Sequence, residues 1–328
     1  MPIDVVYNLT RFCNWDCKDC CINSIKSSAT DIKKTDLQAS GKELAKSDKL
    51  KVLKDLADNN CNIDFSGGNP LLHKEDMEII EYAAQLMPCE KISASIAGIN
   101  LNEDRINTLK AIGKIHITLD GLHYDMKNSR PTGFNELAIK TIKKCLELGK
   151  DVRVVTVLKK NPDLSSLAKI HDYLCEIGVN EWQLLRFYPV GRAINKRSET
   201  IEVGQHQSII NFFGTLRGRT QIKFQHSFKG GSEKIECPAV TKSIGILPDG
   251  RVVACPWGLD ANGEPIDKRF ELGKTPEQKI KDVLSSEKAY KWRKNENICK
   301  TFEFLSLIYP TIEKNLQLKR IGVEAAIV

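Results

Sequence analysis

The stretch Ala111–Leu119, AIGKIHITL, joins a predicted helix end at Gly113 to a β-prone run, and the same pattern recurs twice later in the chain. Gly149 and Gly178 each stand between an apolar helical pattern and another β-rich run. Glycine is a common helix-ending residue, and the three glycines lie 36 (113 to 149) and 29 (149 to 178) residues apart. This alternation predicts parallel strands with helices packed outside the sheet.

Short β-rich runs begin near residues 5, 62, 92, 115, 152 and 182, which gives six strand–helix units. An eight-stranded barrel usually needs more chain, so the sequence predicts an α/β fold built on a partial (β/α)6 barrel. The 328 residues suffice for one large core with a small appended domain. We expect a barrel over 1–192, a linker with a helix over 193–234, and a hairpin-containing domain over 235–328.

Three cysteines follow the first predicted strand in a C-x3-C-x2-C spacing: Cys13, Cys17 and Cys20. Three thiolates so close together can hold three irons of a [4Fe–4S] cluster and leave the fourth iron open. A zinc site usually takes four protein ligands, and no second cysteine pair lies nearby to complete one. A loop of structural thiols is the remaining alternative.

This loop resembles the cluster loop of the radical S-adenosylmethionine (radical SAM) superfamily. The segment Phe65–Pro70, FSGGNP, resembles that superfamily's GGEP motif, with Asn69 at the acidic position and Asp19 where an aromatic residue is usual. The resemblance implies a [4Fe–4S] cluster on Cys13, Cys17 and Cys20 that, once reduced, cleaves SAM to methionine and a 5′-deoxyadenosyl radical. It also implies an external electron donor, either a reductase or a flavodoxin- or ferredoxin-type protein.

Parallel sheets place ligands at the carboxyl ends of their strands, where the cysteine loop and the glycine pair both fall. By resemblance, Gly67, Gly68 and Asn69 contact the methionyl amino group of SAM. Ser95 matches a polar position that contacts SAM, and Arg130 matches an arginine whose fork of donors suits the SAM carboxylate. A surface serine and a solvated arginine are the alternatives for the last two.

A second cysteine set lies in the C-terminal part of the chain. Cys237, Gly250 and Cys255 form a C-x12-G-x4-C pattern around a predicted hairpin, and Cys299 follows a predicted helix over 276–291. The pattern resembles the opening of a SPASM or twitch domain, which implies an auxiliary iron–sulfur cluster. Phe302 occupies the position where related domains carry a fourth cysteine. An open iron, a different ligand or loss of the cluster are the alternatives.

The five other cysteines are predicted to be buried or spare thiols without a metal role. Cys21 breaks the spacing of the first set, and the remaining four fall on apolar strand or helix positions: Cys61, Cys89, Cys145 and Cys175. The polar run 22–38 is predicted to be a loop.

These features predict a radical SAM oxidoreductase that modifies or crosslinks a peptide. The alternatives are a dehydrogenase or rearrangement enzyme for a small metabolite, and a non-catalytic iron–sulfur or zinc protein. The chain begins directly at its first strand, so no leader-binding domain is expected before it. The net charge of +7 falls in short lysine runs without interleaved aromatics, which argues against nucleic acid. No export signal or membrane span is visible, so a cytoplasmic location without membrane partners is expected.

Overall fold

The computed structural model describes residues 2–123, 129–225, 237–294, 299–301 and 303–305. Its main feature is a ten-stranded sheet in the order β12-β11-β10-β1-β4-β5-β6-β7-β8-β9. A parallel pair, β2 and β3, forms a second sheet beside it. The strands are β1 Asp4–Thr10, β2 Phe12–Cys13, β3 Ile25–Lys26, β4 Asn62–Gly67, β5 Ile92–Ile96, β6 Lys114–Thr118, β7 Asp151–Leu158, β8 Glu181–Arg186, β9 Gln221–Phe224, β10 Ser243–Ile246, β11 Arg251–Val253 and β12 Glu271–Lys274.

Strands β1 and β4 to β8 pair in parallel along the sheet, which confirms the six predicted strands and the partial (β/α)6 barrel. Side chains on these strands alternate between two environments, as the pleat requires. Ile63 and Phe65 of β4 are buried in the main hydrophobic core, while Asp64 between them borders an internal cavity. The barrel therefore has an apolar outer core, while its lumen contains polar side chains such as Asp64 beside apolar ones such as Val155.

Helices connect the parallel strands and cover the outer face of the sheet, and the last two helices follow its final strand. They are α1 Lys34–Ala39, α2 Lys46–Asp58, α3 Lys74–Leu86, α4 Glu103–Leu109, α5 Phe134–Glu147, α6 Leu164–Ile177, α7 Val203–Thr215, α8 Ile280–Ser285 and α9 Glu287–Arg293. Within the described ranges, no helix combines the length and the apolar character that crossing a lipid bilayer requires.

The helix-ending glycines behave in two ways. Gly149 and Gly178 adopt positive φ angles of 69° and 91° just after α5 and α6, as predicted. Gly113 is different, because α4 has already ended at Leu109 and Gly113 has no positive φ. Its N–H donates to the Ile92 carbonyl at 2.9 Å, and a Cβ there would collide with the Cys89 carbonyl. Close backbone packing, rather than helix termination, explains this glycine.

The predicted C-terminal hairpin is present as β10 and β11, which pair antiparallel across a turn that contains Gly250 at φ +87°. Strand β10 also pairs in parallel with β1, so the hairpin extends the barrel sheet, and β12 adds a further antiparallel strand. The boundaries at 192 and 235 stay a prediction.

Three local predictions were wrong. The run 22–38 contains β3 and α1 and is not a continuous loop. The helix expected over 276–291 is two short helices, because the Ser286 hydroxyl accepts from the Ala289 N–H and starts α9 there. Cys89 is exposed, since it lies in a single helical turn after Pro88 and not inside an element. Cys61 and Cys145 are buried as expected, and Cys175 is half-buried.

Candidate functional site

The cysteine loop is fixed at both ends by strand pairing, and hydrogen bonds from Arg192 hold it in between. Cys13 ends β2, and β3 pairs with β2 after the loop returns. Arg192 binds the loop between them: its backbone N–H donates to the Cys20 carbonyl at 3.0 Å, and its Nη1 donates to the Cys17 carbonyl at 2.9 Å. At Gly191 a Cβ would collide with the loop carbonyls, so only glycine allows this approach. The segment after β8 therefore sets the shape of the cysteine loop.

The loop thiols are mostly shielded from solvent, with Cys13 and Cys17 buried. Burial raises the pKa of Cys13 to about 12. Burial likewise raises the pKa of Cys17, although the Arg130 guanidinium opposes the shift from 3.5 Å. The Cys20 sulfur accepts the Ser24 N–H at 3.3 Å. Thiols with raised pKa values stay protonated at neutral pH until a metal displaces the protons.

The spacing of these sulfurs distinguishes two kinds of metal site. Sulfurs around one zinc ion lie under about 4 Å apart, because each Zn–S bond is about 2.3 Å. Among the described residues, the side chains whose metal-binding atoms all lie within 4.8 Å of one another are Glu43, Glu75 and Asp76. The three loop sulfurs do not form such a set, and in an iron–sulfur cluster each thiolate binds its own iron, so the sulfurs need not surround one common ion.

A cavity of about 1650 Å³ occupies the barrel lumen and its carboxyl rim. It is bordered by most of the residues that the sequence singled out: Cys13, Cys17, Cys20, Gly67, Gly68, Ser95 and Arg130. The two glycines allow the cysteine loop to pack on this edge, because a Cβ at Gly68 would collide with the Phe12 carbonyl. Gly67 adopts φ +119°, and a Cβ there would collide with the Thr10 carbonyl. The N–H of Gly68 donates to that same carbonyl at 2.8 Å.

Asn69 differs from the other predicted SAM residues. It is fully buried, and its amide donates to Asn14 Oδ1 at 2.9 Å and to the Ala97 carbonyl at 3.2 Å. Its Oδ1 accepts the Leu71 N–H at 3.2 Å. Asn14 and Trp15 in turn both donate to the Gly98 carbonyl. The Asn69 side chain thus joins the cysteine loop to the strand ends. Its backbone is engaged as well, because its N–H donates to the Phe12 carbonyl at 2.8 Å and its carbonyl accepts the Leu72 N–H at 3.0 Å. Asn69 does not border the cavity that the two glycines border, and its contact with SAM stays a prediction.

Arg130 lies between the cysteine loop and the strand β6 end. Its Nε donates to Asp120 Oδ2 at 2.6 Å, and its guanidinium stacks over the Phe134 ring at 4.8 Å. Asp120 Oδ1 accepts the Val157 N–H at 3.0 Å, so the carboxylate is anchored to β7. Asp120 is therefore the partner that orients Arg130.

Asp19, where related loops carry an aromatic residue, forms ion pairs with Lys159 and Lys196. Burial opposes ionisation, yet hydrogen bonds from the two lysines and from Ser129 hold the pKa of Asp19 below its ordinary value. These pairs attach the cysteine loop to the segments that follow β7 and β8.

A polar group in the lumen was missed from the sequence. Ser95 Oγ donates to Asp64 Oδ2 at 2.8 Å and lies 3.3 Å from His116 Nδ1, which is 3.4 Å from Asp64 Oδ1. Burial acts to raise the pKa of Asp64, but bonds from His116, Ser95 and Ser93 outweigh it and lower that pKa. The signal was available, because polar residues alternate with apolar ones on strands β4, β5 and β6.

The C-terminal cysteines also lie near one another. Burial raises the pKa of Cys255 to about 12, and negative charge on Cys299 or Cys237 would raise it further. Thr301 Oγ1 lies 3.3 Å from the Cys255 sulfur, and the Tyr188 hydroxyl lies 3.6 Å from the Cys299 sulfur. Phe302 falls outside the described residues. Mutually repelling thiols of this kind suit a metal centre that removes their protons.

A partial (β/α)6 barrel with three spaced thiols at its carboxyl rim defines a cluster-bearing barrel enzyme. A sequence profile of the radical SAM superfamily matches residues 7–174, which is 168 of 328 residues, and the chain belongs to that superfamily. A second profile, SPASM, described as an iron–sulfur cluster-binding domain, matches residues 237–301. A [4Fe–4S] cluster, SAM and an auxiliary iron–sulfur cluster are therefore the cofactors of this enzyme class.

The fold is similar to that of SuiB from Streptococcus suis. The structure of SuiB bound to S-adenosylmethionine gives a TM-score of 0.66 at 15% identity, covering 89% of this chain and 68% of SuiB. The structure of SuiB bound to the precursor peptide SuiA gives 0.66 at 14% identity, covering 89% and 67%. At this identity the likeness concerns the fold. A comparison with curated protein sequences finds no match.

Proposed function

We propose that this chain uses radical SAM chemistry to remove a hydrogen atom from a peptide, which is then oxidised or crosslinked. The observation that carries the proposal is a single cavity, of about 1650 Å³, that borders the cysteine loop, the glycine pair and Arg130. Small-molecule sites usually occupy ~300–1,000 Å³, so this cavity has room for a cofactor and part of a larger substrate. The fold shared with SuiB, whose structure holds a precursor peptide, supports the same substrate class.

When bound, the amino-terminal cluster and SAM supply hydrogen-atom abstraction from an unactivated C–H bond. The chain's own residues hold and orient them in this proposal. Cys13, Cys17 and Cys20 are the iron ligands, and Arg130 pairs with the SAM carboxylate while Asp120 orients it. The remaining proposed SAM contacts are Gly67, Gly68, Asn69 and Ser95.

A net oxidation requires the substrate to lose one more electron and one proton after the hydrogen atom has left. Cys237, Cys255 and Cys299 would hold an iron–sulfur cluster, which would provide the acceptor for the electron. His116 is the proposed acceptor of the proton, because it borders the cavity and its Nδ1 lies 3.4 Å from Asp64 Oδ1. The hydrogen atom, the electron and the proton are then all accounted for.

A second candidate, oxidation of a small polar metabolite, is favoured by the lumen itself. Asp64, Ser95 and His116 form a hydrogen-bonded polar group that borders the cavity, where a polar substrate can contact it. Mass spectrometry of products formed from candidate peptides and from small metabolites separates the two. A peptide product that lacks two hydrogens supports the first candidate.

The decisive experiment is anaerobic reconstitution with iron, sulfide, SAM and a reductant, followed by measurement of 5′-deoxyadenosine. Cys17→Ala is expected to abolish 5′-deoxyadenosine formation while the chain stays folded. The adjacent Cys21→Ala is the matched control and is expected to retain it, because Cys21 packs in a small apolar cluster with Val190. A Cys17 variant that still forms 5′-deoxyadenosine at the parent rate refutes the proposal.

A further inference from the structure

Tyr188 connects the two cysteine sites of the molecule. It follows β8, borders the central cavity, and its hydroxyl lies 3.6 Å from the sulfur of Cys299. In the free thiol, either atom of this pair can donate. A metal-bound thiolate carries no proton, so the phenol O–H is then the donor of the pair.

A second hydroxyl group, that of Thr301, lies within hydrogen-bonding distance of another C-terminal cysteine sulfur, that of Cys255. Thr301 is buried, and its Oγ1 donates to the Cys255 sulfur at 3.3 Å. Thr301 does not border the central cavity. Two of the three C-terminal cysteines thus each have a hydroxyl donor within hydrogen-bonding distance of sulfur.

Hydrogen bonds to the ligand sulfurs are a principal means by which a protein tunes an iron–sulfur cluster. Reduction adds negative charge, and part of that charge resides on the thiolates. A hydroxyl donor stabilises the reduced state more than the oxidised state, and the reduction potential rises.

We infer that Tyr188 and Thr301 are positioning residues that raise the reduction potential of the auxiliary cluster by donating to Cys299 and Cys255. The inference rests on the proposed assignment of Cys237, Cys255 and Cys299 as ligands. It makes the cluster a better acceptor for the electron that substrate oxidation releases. Tyr188 additionally lies between the cavity and the auxiliary site.

The test uses the full chain with Cys13, Cys17 and Cys20 replaced by Ala, so that the auxiliary cluster is observed alone. Redox titration followed by electron paramagnetic resonance gives its midpoint potential. Y188F and T301V are each expected to lower the reduced-to-oxidised ratio at a fixed potential by roughly 3- to 10-fold. A tenfold change corresponds to about 59 mV for one electron.

Two matched controls distinguish the hydroxyl effect from a general perturbation. T301S keeps the donor and is expected to keep the parent potential. Y290F removes the same hydroxyl from a tyrosine that is 54% exposed, and it is also expected to keep the parent potential. If the midpoint potential is unchanged in both Y188F and T301V, the inference is overturned, but the assignment of the three cysteines as ligands stands.

Loss of all iron from the triple alanine chain overturns the ligand assignment and the inference together. If the triple variant does not fold, the same substitutions are made in the parent chain with both clusters present. Added SAM is expected to perturb the electron paramagnetic resonance signal of the amino-terminal cluster. The signal that does not change is then assigned to the auxiliary cluster. The same downward shift is expected there, and an unchanged potential again overturns the inference.

Discussion

Arg130 illustrates how one side chain can be held ready for an anionic ligand. Its Nε is bonded to Asp120, its ring-facing side stacks on Phe134, and its Nη1 reaches the Cys17 sulfur at 3.5 Å. Each of these contacts restricts the rotamers of Arg130. Binding of a carboxylate to its guanidinium would therefore cost little further side-chain entropy. Preorganisation, rather than charge alone, is the contribution of the surrounding residues.

Arg130→Gln is expected to weaken SAM binding by about 1.5–3 kcal/mol, because it removes a charge-assisted hydrogen bond. Calorimetry on the reconstituted protein measures the change. Arg217→Gln is the control. Arg217 is exposed and donates to the Gly214 and Leu216 carbonyls at the carboxyl end of α7, so the affinity of this variant for SAM is expected to match that of the parent. If both variants bind SAM as tightly as the parent does, the role of Arg130 is limited to its contacts with Asp120 and Cys17.

At the scale of elements, α1, α2 and α3 are joined by a buried ion cluster. Lys49 Nζ on α2 lies 2.8 Å from Glu43 Oε1 and 3.0 Å from Asp76 Oδ1 on α3. Lys34 on α1 lies 2.6 Å from each of the same two residues. The two ammonium groups occupy the space among the acidic side chains, so this set is an ion-pair network and not a cation site. Thr10 of β1 donates to Glu43 at 3.0 Å and ties the network to the barrel.

Lys49→Met is expected to lower the free energy of unfolding by about 3–5 kcal/mol, because it leaves two buried carboxylates with one counter-charge. Lys46→Met on the same helix is the matched control. Lys46 is exposed and pairs with Glu78, so its loss is expected to cost at most about 1 kcal/mol. Chemical denaturation of both variants measures the difference. Equal losses of unfolding free energy in the two variants would show that the buried network contributes no more to stability than a surface ion pair.

Sequence reasoning located the elements that carry long apolar patterns and missed those that do not. The six barrel strands were found because each combines β-branched residues with a turn signal. β3 and β12 were missed because they are only two and four residues long and lack the Pro-Asp-Gly turn that marks the equally short β10 and β11. The role of Arg192 was missed because it contacts Cys17, which lies 175 residues earlier in the chain. The role of Asp120 was missed because its anchoring bond comes from Val157, 37 residues later.

At the scale of the whole molecule, the amino-terminal and C-terminal cysteine sets predict two separate clusters. Reconstituted protein is expected to contain about eight irons per chain, against about four if the amino-terminal site alone is filled. The variant with Cys13, Cys17 and Cys20 replaced by Ala is expected to retain about half of the iron and a distinct paramagnetic signal on reduction. Metal analysis measures the iron content of the parent and of the variant. Zinc or no metal in the variant would make the C-terminal site structural.

The pairing of β1 with β10 has a consequence for how the protein is made. Strand β1 precedes the cysteine loop, yet its outer neighbour β10 begins 239 residues later (243 minus 4). At ~5–20 residues per second, a ribosome needs roughly 12 to 48 s to deliver that partner. During this interval the nascent chain exposes an unpaired strand edge beside three thiols, a surface prone to aggregation. Pairing of β1 with β10 on this side of the sheet is therefore deferred until β10 has been synthesised.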